Sequence, residues 1–271
     1  MTTKHLQTLT LTSFLTVTAI PVLATEYADN IHKNDYKWLQ FNLMYAYEEL
    51  PRPENAKTGH DYLEIEFGGR SGFLDLYGYV DIFNLTNSDD SDKKGSSKTF
   101  VKLQPRFSLD AITGRDLSFG PVQELYFSTL FNWGGGTTDV NNSFWGLGAD
   151  VMVPWFGKVG VNLYGLYELN KKAWNGYQVS TNWFKPFIHF ENESFIAYQG
   201  YIDYQFGAED EFKGNKQTSS GGAMFNGFYW HSEHWAAGYG LKLYKDIYLI
   251  EDSKQLKSTG ISHYFAVTYK L

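Results

Sequence analysis

"SGFLDLYGYVDIFNL", residues 71–85, alternates with a period of two. Leu74, Leu76, Val80 and Ile82 fall on one parity, and Asp75, Tyr77, Tyr79 and Asp81 on the other. Successive side chains of a β-strand point to opposite faces, so one face is apolar and the other carries carboxylates and tyrosines. An antiparallel sheet half-exposed to water accepts that pattern. So does a membrane barrel with lipid outside and water inside. The rest of the chain has to choose.

The alternation recurs in twelve stretches, near 38–48, 61–68, 73–83, 99–109, 122–131, 143–153, 158–168, 174–184, 195–206, 222–231, 234–244 and 259–271. No segment sustains an apolar period of 3.6, so helices should be few. No repeat unit with its own motif marks a propeller or solenoid. The connections after strands two, six and ten ("GGRSG", "PWFGK", "SE") are short, whereas those after strands one, three, five, nine and eleven are long and polar. Short periplasmic turns and long external loops alternate in this way in an outer-membrane barrel with both ends in the periplasm. Two connections break the rule: "DAITGRDLSFGP" at 110–121 is long on the periplasmic side and "NKKA" at 170–173 is short outside.

Parity gives the same answer on other strands. Strand two places Leu63, Ile65 and Phe67 outside with Glu64 and Glu66 inside, and strand four places Val101, Leu103 and Phe107 outside with Lys102, Gln104 and Arg106 inside. Strand five points Glu124 and Tyr126 inward, strand nine Gln199 and Asp203, and strand eleven Lys242. A charge facing lipid at mid-bilayer costs about 2–4 kcal/mol, which a barrel avoids by this one-sidedness. Trp38, Trp155, Trp183, Trp230 and Trp235 near strand ends suit interfacial aromatic girdles. A mean hydropathy of -0.37 does not argue against a barrel, because lumen residues cancel lipid-facing ones. A net charge of -7 offers no electrostatic case for nucleic acid. The absence of cysteine excludes thiolate metal sites and thiol catalysis.

The chain ends add to this. Lys4 and His5 precede "LTLTSFLTVTAIPVL", followed by Val22, Leu23 and Ala24. This pattern is expected of a cleaved secretory signal over 1–24, leaving 25–37 as a short periplasmic segment and 38–271 as the barrel. At the other end, Phe265, Val267, Tyr269 and Leu271 share one parity. A terminal strand of this kind is similar to the signal read by the barrel assembly machinery, although Leu271 stands where Phe is usual.

Six segments carry a family resemblance: "DYLEIEFGGRSGFLDLYGYVDIFNL" (61–85), "PRFSLDAITGRDLSFGPVQELYFSTLF" (105–131), "GLGADVMVPWFGKVGVNLYG" (146–165), "NGYQVSTNWFKPF" (175–187), "GAMFNGFYWHSEHWAAGYGLKLYKD" (222–246) and "KSTGISHYFAVTYKL" (257–271). Together they resemble the nucleoside-specific, Tsx-like channel family of Gram-negative outer membranes, nearest to its OmpK branch. The resemblance implies a twelve-stranded barrel with a narrow channel, passive uptake of nucleosides, and external loops that bacteriophages use as receptors.

The candidate site is the lumen set Glu64, Glu66, Asp75, Tyr77, Tyr79, Asp81, Arg106, Glu124 and Tyr126. A nucleoside is an uncharged planar base on a hydroxyl-rich sugar. Aromatic faces stack on bases for about 1–3 kcal/mol each, and charged groups hydrogen-bond the ribose and base edges. The competing reading is that these charges pair across a wet bore and hold its shape. No cofactor or metal is expected, and no catalysis. "HSEH" (231–234) straddles a tight turn and supplies no third zinc ligand with an open position. No Ser/His set suits a barrel hydrolase. The glycine-rich "GGRSG" and "NWGGG" precede no helix, as a phosphate loop would require. Asp89, Asp90 and Asp92 lack the Gly and distal Glu of a dedicated Ca²⁺ loop. A surface-receptor or structural barrel without nucleoside selectivity is the alternative.

Overall fold

A computed structural model describes residues 30–56, 58–136, 139–210 and 217–271. The expected signal over 1–24 lies outside the described residues, as do the start of the periplasmic segment and 211–216 of the ninth connection.

Twelve strands close on themselves in chain order. They are β1 (Tyr36–Tyr47), β2 (His60–Ser71), β3 (Leu74–Phe83), β4 (Thr99–Ser108), β5 (Val122–Trp133), β6 (Asn141–Val153), β7 (Gly157–Glu168), β8 (Ala173–His189), β9 (Phe195–Phe206), β10 (Ser220–His231), β11 (Trp235–Lys245) and β12 (Gly260–Lys270). Every neighbouring pair is antiparallel, and β12 closes on β1 from Gln40↔Lys270 to Tyr47↔His263. Closure leaves no strand edge unpaired, as a sheet bathed in lipid must. Both described chain ends meet one rim, here the terminal rim; the long connections after odd-numbered strands form the opposite, loop rim. No described helix is long and apolar enough to cross a membrane.

The parity read from the sequence is the parity of the wall. Leu43, Leu147, Leu163, Phe265 and Val267 are all more than half exposed on the outer face. Inside, the lumen holds more apolar surface than the expected charged, tyrosine-rich lining. Leu130, Phe144, Tyr164 and Leu166 form one buried cluster, and Met44, Ala46, Tyr62, Tyr229, Tyr264 and Ala266 another.

Three local expectations change. "GGRSG" is mostly strand, and only Gly72 (φ +57°) and Phe73 turn the chain between β2 and β3. Gly68 is required for close approach rather than for bending, because a Cβ there would stand 2.6 Å from Trp38 Cζ2. That contact also moves Trp38 out of the outer girdle. It shares parity with Gln40 and Asn42, whose amides reach Glu66 and Glu64, and its ring lies 6.2 Å from Tyr77 inside the lumen. Finally, β8 runs to His189, five residues beyond the expected end at 184, and carries a bulge between Pro186 and Ile188. The bulge absorbs one extra residue, and pairing with β9 resumes at Ile188↔Ile196 and His189↔Phe195.

The long connection at the terminal rim is a folded piece. Ser108 Oγ accepts from Ala111 N to cap α1 (Leu109–Thr113), and Gly114 ends it in the left-handed region. The buried Asp110 carboxylate accepts from Leu117 N and Leu125 N, tying the connection back to β5.

Candidate functional site in the lumen

All nine residues predicted for the lumen stand on β2 to β5, with their side chains in the inner network, but the fold divides them into three neighbourhoods. In the first, Asp75, Arg106, Glu124 and Tyr126 line or border a cavity of about 210 Å³ on the terminal side, with Tyr36, Arg70, Asp150 and Lys158. Arg106 donates to Asp75 at 3.0 Å and to Asp150 at 2.9 Å, and its guanidinium sits 4.1 Å from the Tyr126 ring centre. Arg70 forks onto Glu124 at 2.8 and 2.7 Å. Tyr126 OH donates to Glu124 at 2.8 Å, and Lys158 reaches Asp150 at 3.1 Å.

The second neighbourhood is a carboxylate ladder. Glu64 faces Asp81 across the β2–β3 register, with Glu66 two residues along. Asn42 donates to Glu64 at 2.7 Å and to Glu66 at 3.1 Å, and Tyr77 OH donates to Glu66 at 2.8 Å. Among the described residues no basic group comes within ion-pair reach of these three carboxylates. Asp81 is 8% exposed, and its Oδ1 has no hydrogen-bond partner.

The third lies toward the loop rim. Tyr79, Phe100, Tyr201 and Tyr248 surround a smaller cavity of about 80 Å³ together with Lys102, Lys242, Asp203 and Gln178. Lys102 Nζ meets Asp203 at 3.3 Å, and Lys242 Nζ stands 5.8, 5.1 and 5.7 Å from the rings of Tyr201, Tyr244 and Tyr264. Ammonium groups above ring faces gain by cation–π attraction.

The loop rim has its own buried knot. Lys93 pairs with Glu49 at 2.6 Å, and the fully buried His60 places Nδ1 2.8 Å from Asp92. Burial alone would raise the Glu49 carboxyl, but Lys93, His60 and Lys242 hold it well below its ordinary value. Burial also works against Asp92, whose hydrogen bonds from His60 and Gly59 N outweigh it and lower its pKa. Lys93 is desolvated, yet the Glu49 charge raises its pKa. Nearby, Asp246, Tyr248 and Leu249 all take positive φ (45°, 58° and 60°), a strained backbone that carries Tyr248 to the smaller cavity.

Several of these partners were absent from the lumen set. Lys102, Asp203 and Lys242 were legible as inward-facing, but nothing in the sequence pairs β4 with β9. Arg70 was hidden in an apparent glycine turn, although it continues the parity of Glu64 and Glu66. Of the other motifs, His231 stacks on Phe195 with ring centres 5.0 Å apart, and His234 lies beside Tyr269. Asp89 pairs with Lys94 while Asp92 turns inward to His60.

The sequence profile described as "Nucleoside-specific channel-forming protein, Tsx" matches residues 33–271, the whole barrel. The chain belongs to the Tsx channel family. Within that family it is 63% identical over 264 residues to "Outer membrane protein OmpK" of Vibrio parahaemolyticus serotype O3:K6 (strain RIMD 2210633), covering 95% of this chain and 97% of that relative. It is 28% identical over 229 residues to "Nucleoside-specific channel-forming protein Tsx" of Salmonella typhimurium, covering 77% and 78%. Among solved structures, the NanC porin superposes with a TM-score of 0.51 at 7% identity, covering 85% of this chain and all of that one, a likeness of fold. The chain is thus a barrel of an outer-membrane channel family.

Proposed function

We propose that this chain is a passive diffusion channel for nucleosides in the Gram-negative outer membrane, catalysing no reaction. The observation that carries the reading is the interleaving of rings and charges on one wall: Tyr77 and Tyr79 between Asp75 and Asp81, with Glu64 and Glu66 across the register. Rings there offer faces for a base, and the carboxylates, which accept from the Asn42 and Gln40 amides, offer acceptors for ribose hydroxyls. In this reading residues 1–24 are removed on export, the terminal rim faces the periplasm, and the long connections face outward. The C-terminal strand addresses the chain to the barrel assembly machinery, and the outer loops are available to bacteriophage.

Single-channel conductance in a planar bilayer, with and without millimolar nucleoside, tests the proposal. Block by nucleosides that weakens in Asp75→Ala and Tyr79→Ala supports it; conductance indifferent to nucleosides overturns the substrate. One observation favours a second reading, a receptor barrel with little selectivity: Lys102 and Asp203 meet across the bore. In that case loop changes alone would alter the phenotype.

A further inference from the structure

Most lumen ion pairs join strands that are neighbours or nearly so. Arg106–Asp75 links β4 to β3, Arg106–Asp150 links β4 to β6, and Lys158–Asp150 links β7 to β6. Lys102–Asp203 differs. Around the closed sheet, four strands separate β4 from β9 on one side and six on the other, so the pair joins almost opposite walls. Its two side chains are 18% and 25% exposed, partly solvated by the loop-side cavity that both line. Neither residue lines the larger terminal-side cavity, whose Asp75 and Asp150 pair with Arg106, two alternations further along β4. A solute moving between the two cavities meets this pair.

We infer that the Lys102–Asp203 ion pair is the gate of the channel, a bridge that solute must part and that sets which charge passes. The two ends are not equally free. Asp203 accepts from Ser180 Oγ at 2.6 Å and Gln178 Nε2 at 3.4 Å, both on the adjoining β8. That wall holds the carboxylate in place. Lys102 has a flexible stem, with the Tyr79 and Tyr201 rings 6.0 and 5.6 Å from its ammonium. Lysine is therefore the moving element: released from Asp203 it swings toward ring faces that stabilise a cation. At 3.3 Å, with a single contact and water reaching both side chains, the pair can part on passage, which a conducting site requires.

The inference rests on the channel reading but not on nucleosides as the permeant. Its test is ion conductance of the full-length channel purified from membranes, with folding checked by heat-modifiable gel mobility. Lys102→Met and Asp203→Asn should each raise single-channel conductance about two-fold or more. Their reversal potentials should move in opposite senses, Lys102→Met toward cations and Asp203→Asn toward anions. The charge-swapped double variant Lys102→Asp/Asp203→Lys should return conductance to the wild-type level. Conductance unchanged or lowered in both single variants, or still raised in the swap, overturns the gate. Wild-type protein supplies a measurement independent of any variant. Between about 0.1 and 1 M KCl the Debye length falls from about 10 to about 3 Å, so conductance should rise more steeply than bulk conductivity. Strict proportionality to bulk overturns the proposal. Nucleoside block is read separately: variants that open but show no block retain the gate and remove the nucleoside.

Discussion

Arg70 and Glu124, 54 residues apart in the chain, face each other with two parallel hydrogen bonds and side chains 5% exposed on both sides. Glu124 is acceptor to Ser108 Oγ and Tyr126 OH as well, so the pair ties β2, β4 and β5 together inside the terminal rim. Removing one partner of a buried pair strands the other charge. Glu124→Gln or Arg70→Met should each cost about 3–5 kcal/mol, and the double apolar replacement less than either alone. Urea unfolding of the barrel in liposomes measures this.

The ladder of Glu64, Glu66 and Asp81 predicts the opposite sign. Asp81 is buried opposite Glu64, with no cation in ion-pair reach among the described residues and an unpaired Oδ1. Like charges directly opposite one another destabilise a sheet. Asp81→Asn should therefore raise stability, by about 0.5–1 kcal/mol, and reduce cation preference in a reversal-potential measurement.

Leu163 lies mid-strand on β7, 53% exposed on the outer face. If that face meets lipid, Leu163→Lys costs about 2–4 kcal/mol in a bilayer. The same substitution on a water-facing sheet would be close to neutral, so comparing liposome and detergent stability checks the embedding directly.

The loop knot makes the loop rim sensitive to pH at both extremes. Glu49 and Asp92 are depressed from 4.5 and 3.8, so their stabilisation is present above those values and is lost as pH falls through the depressed ones. Lys93 is raised from 10.5, so its contribution is present below that value and is lost as pH rises through the elevated one. The 84–98 connection should resist proteolysis through the neutral range and become cleavable in strong acid. Lys93→Ala should make it cleavable at neutral pH.

How much of this was legible can be judged residue by residue. Alternation alone places Leu74 outward and Asp75 inward, because a strand has only two faces and lipid tolerates no charge on one of them. The same rule set twelve strands in order, since short antiparallel connections leave chain neighbours as sheet neighbours. It failed where glycine has two meanings: Gly68 and Gly69 resembled a turn but extend β2, and Trp38 with them passed from girdle to lumen.

The sequence by itself determined that this chain forms a closed twelve-stranded barrel of the Tsx family and, Trp38 and Arg70 apart, which of the side chains discussed point into it. Only the tertiary structure decided which of them meet. Parity is a local property with a period of two, whereas Lys102 meets Asp203, and Arg70 meets Glu124, through closure of the whole sheet. The circumference, the tilt and the register at the β1–β12 seam jointly set those distances, and no stretch of the chain holds that information alone.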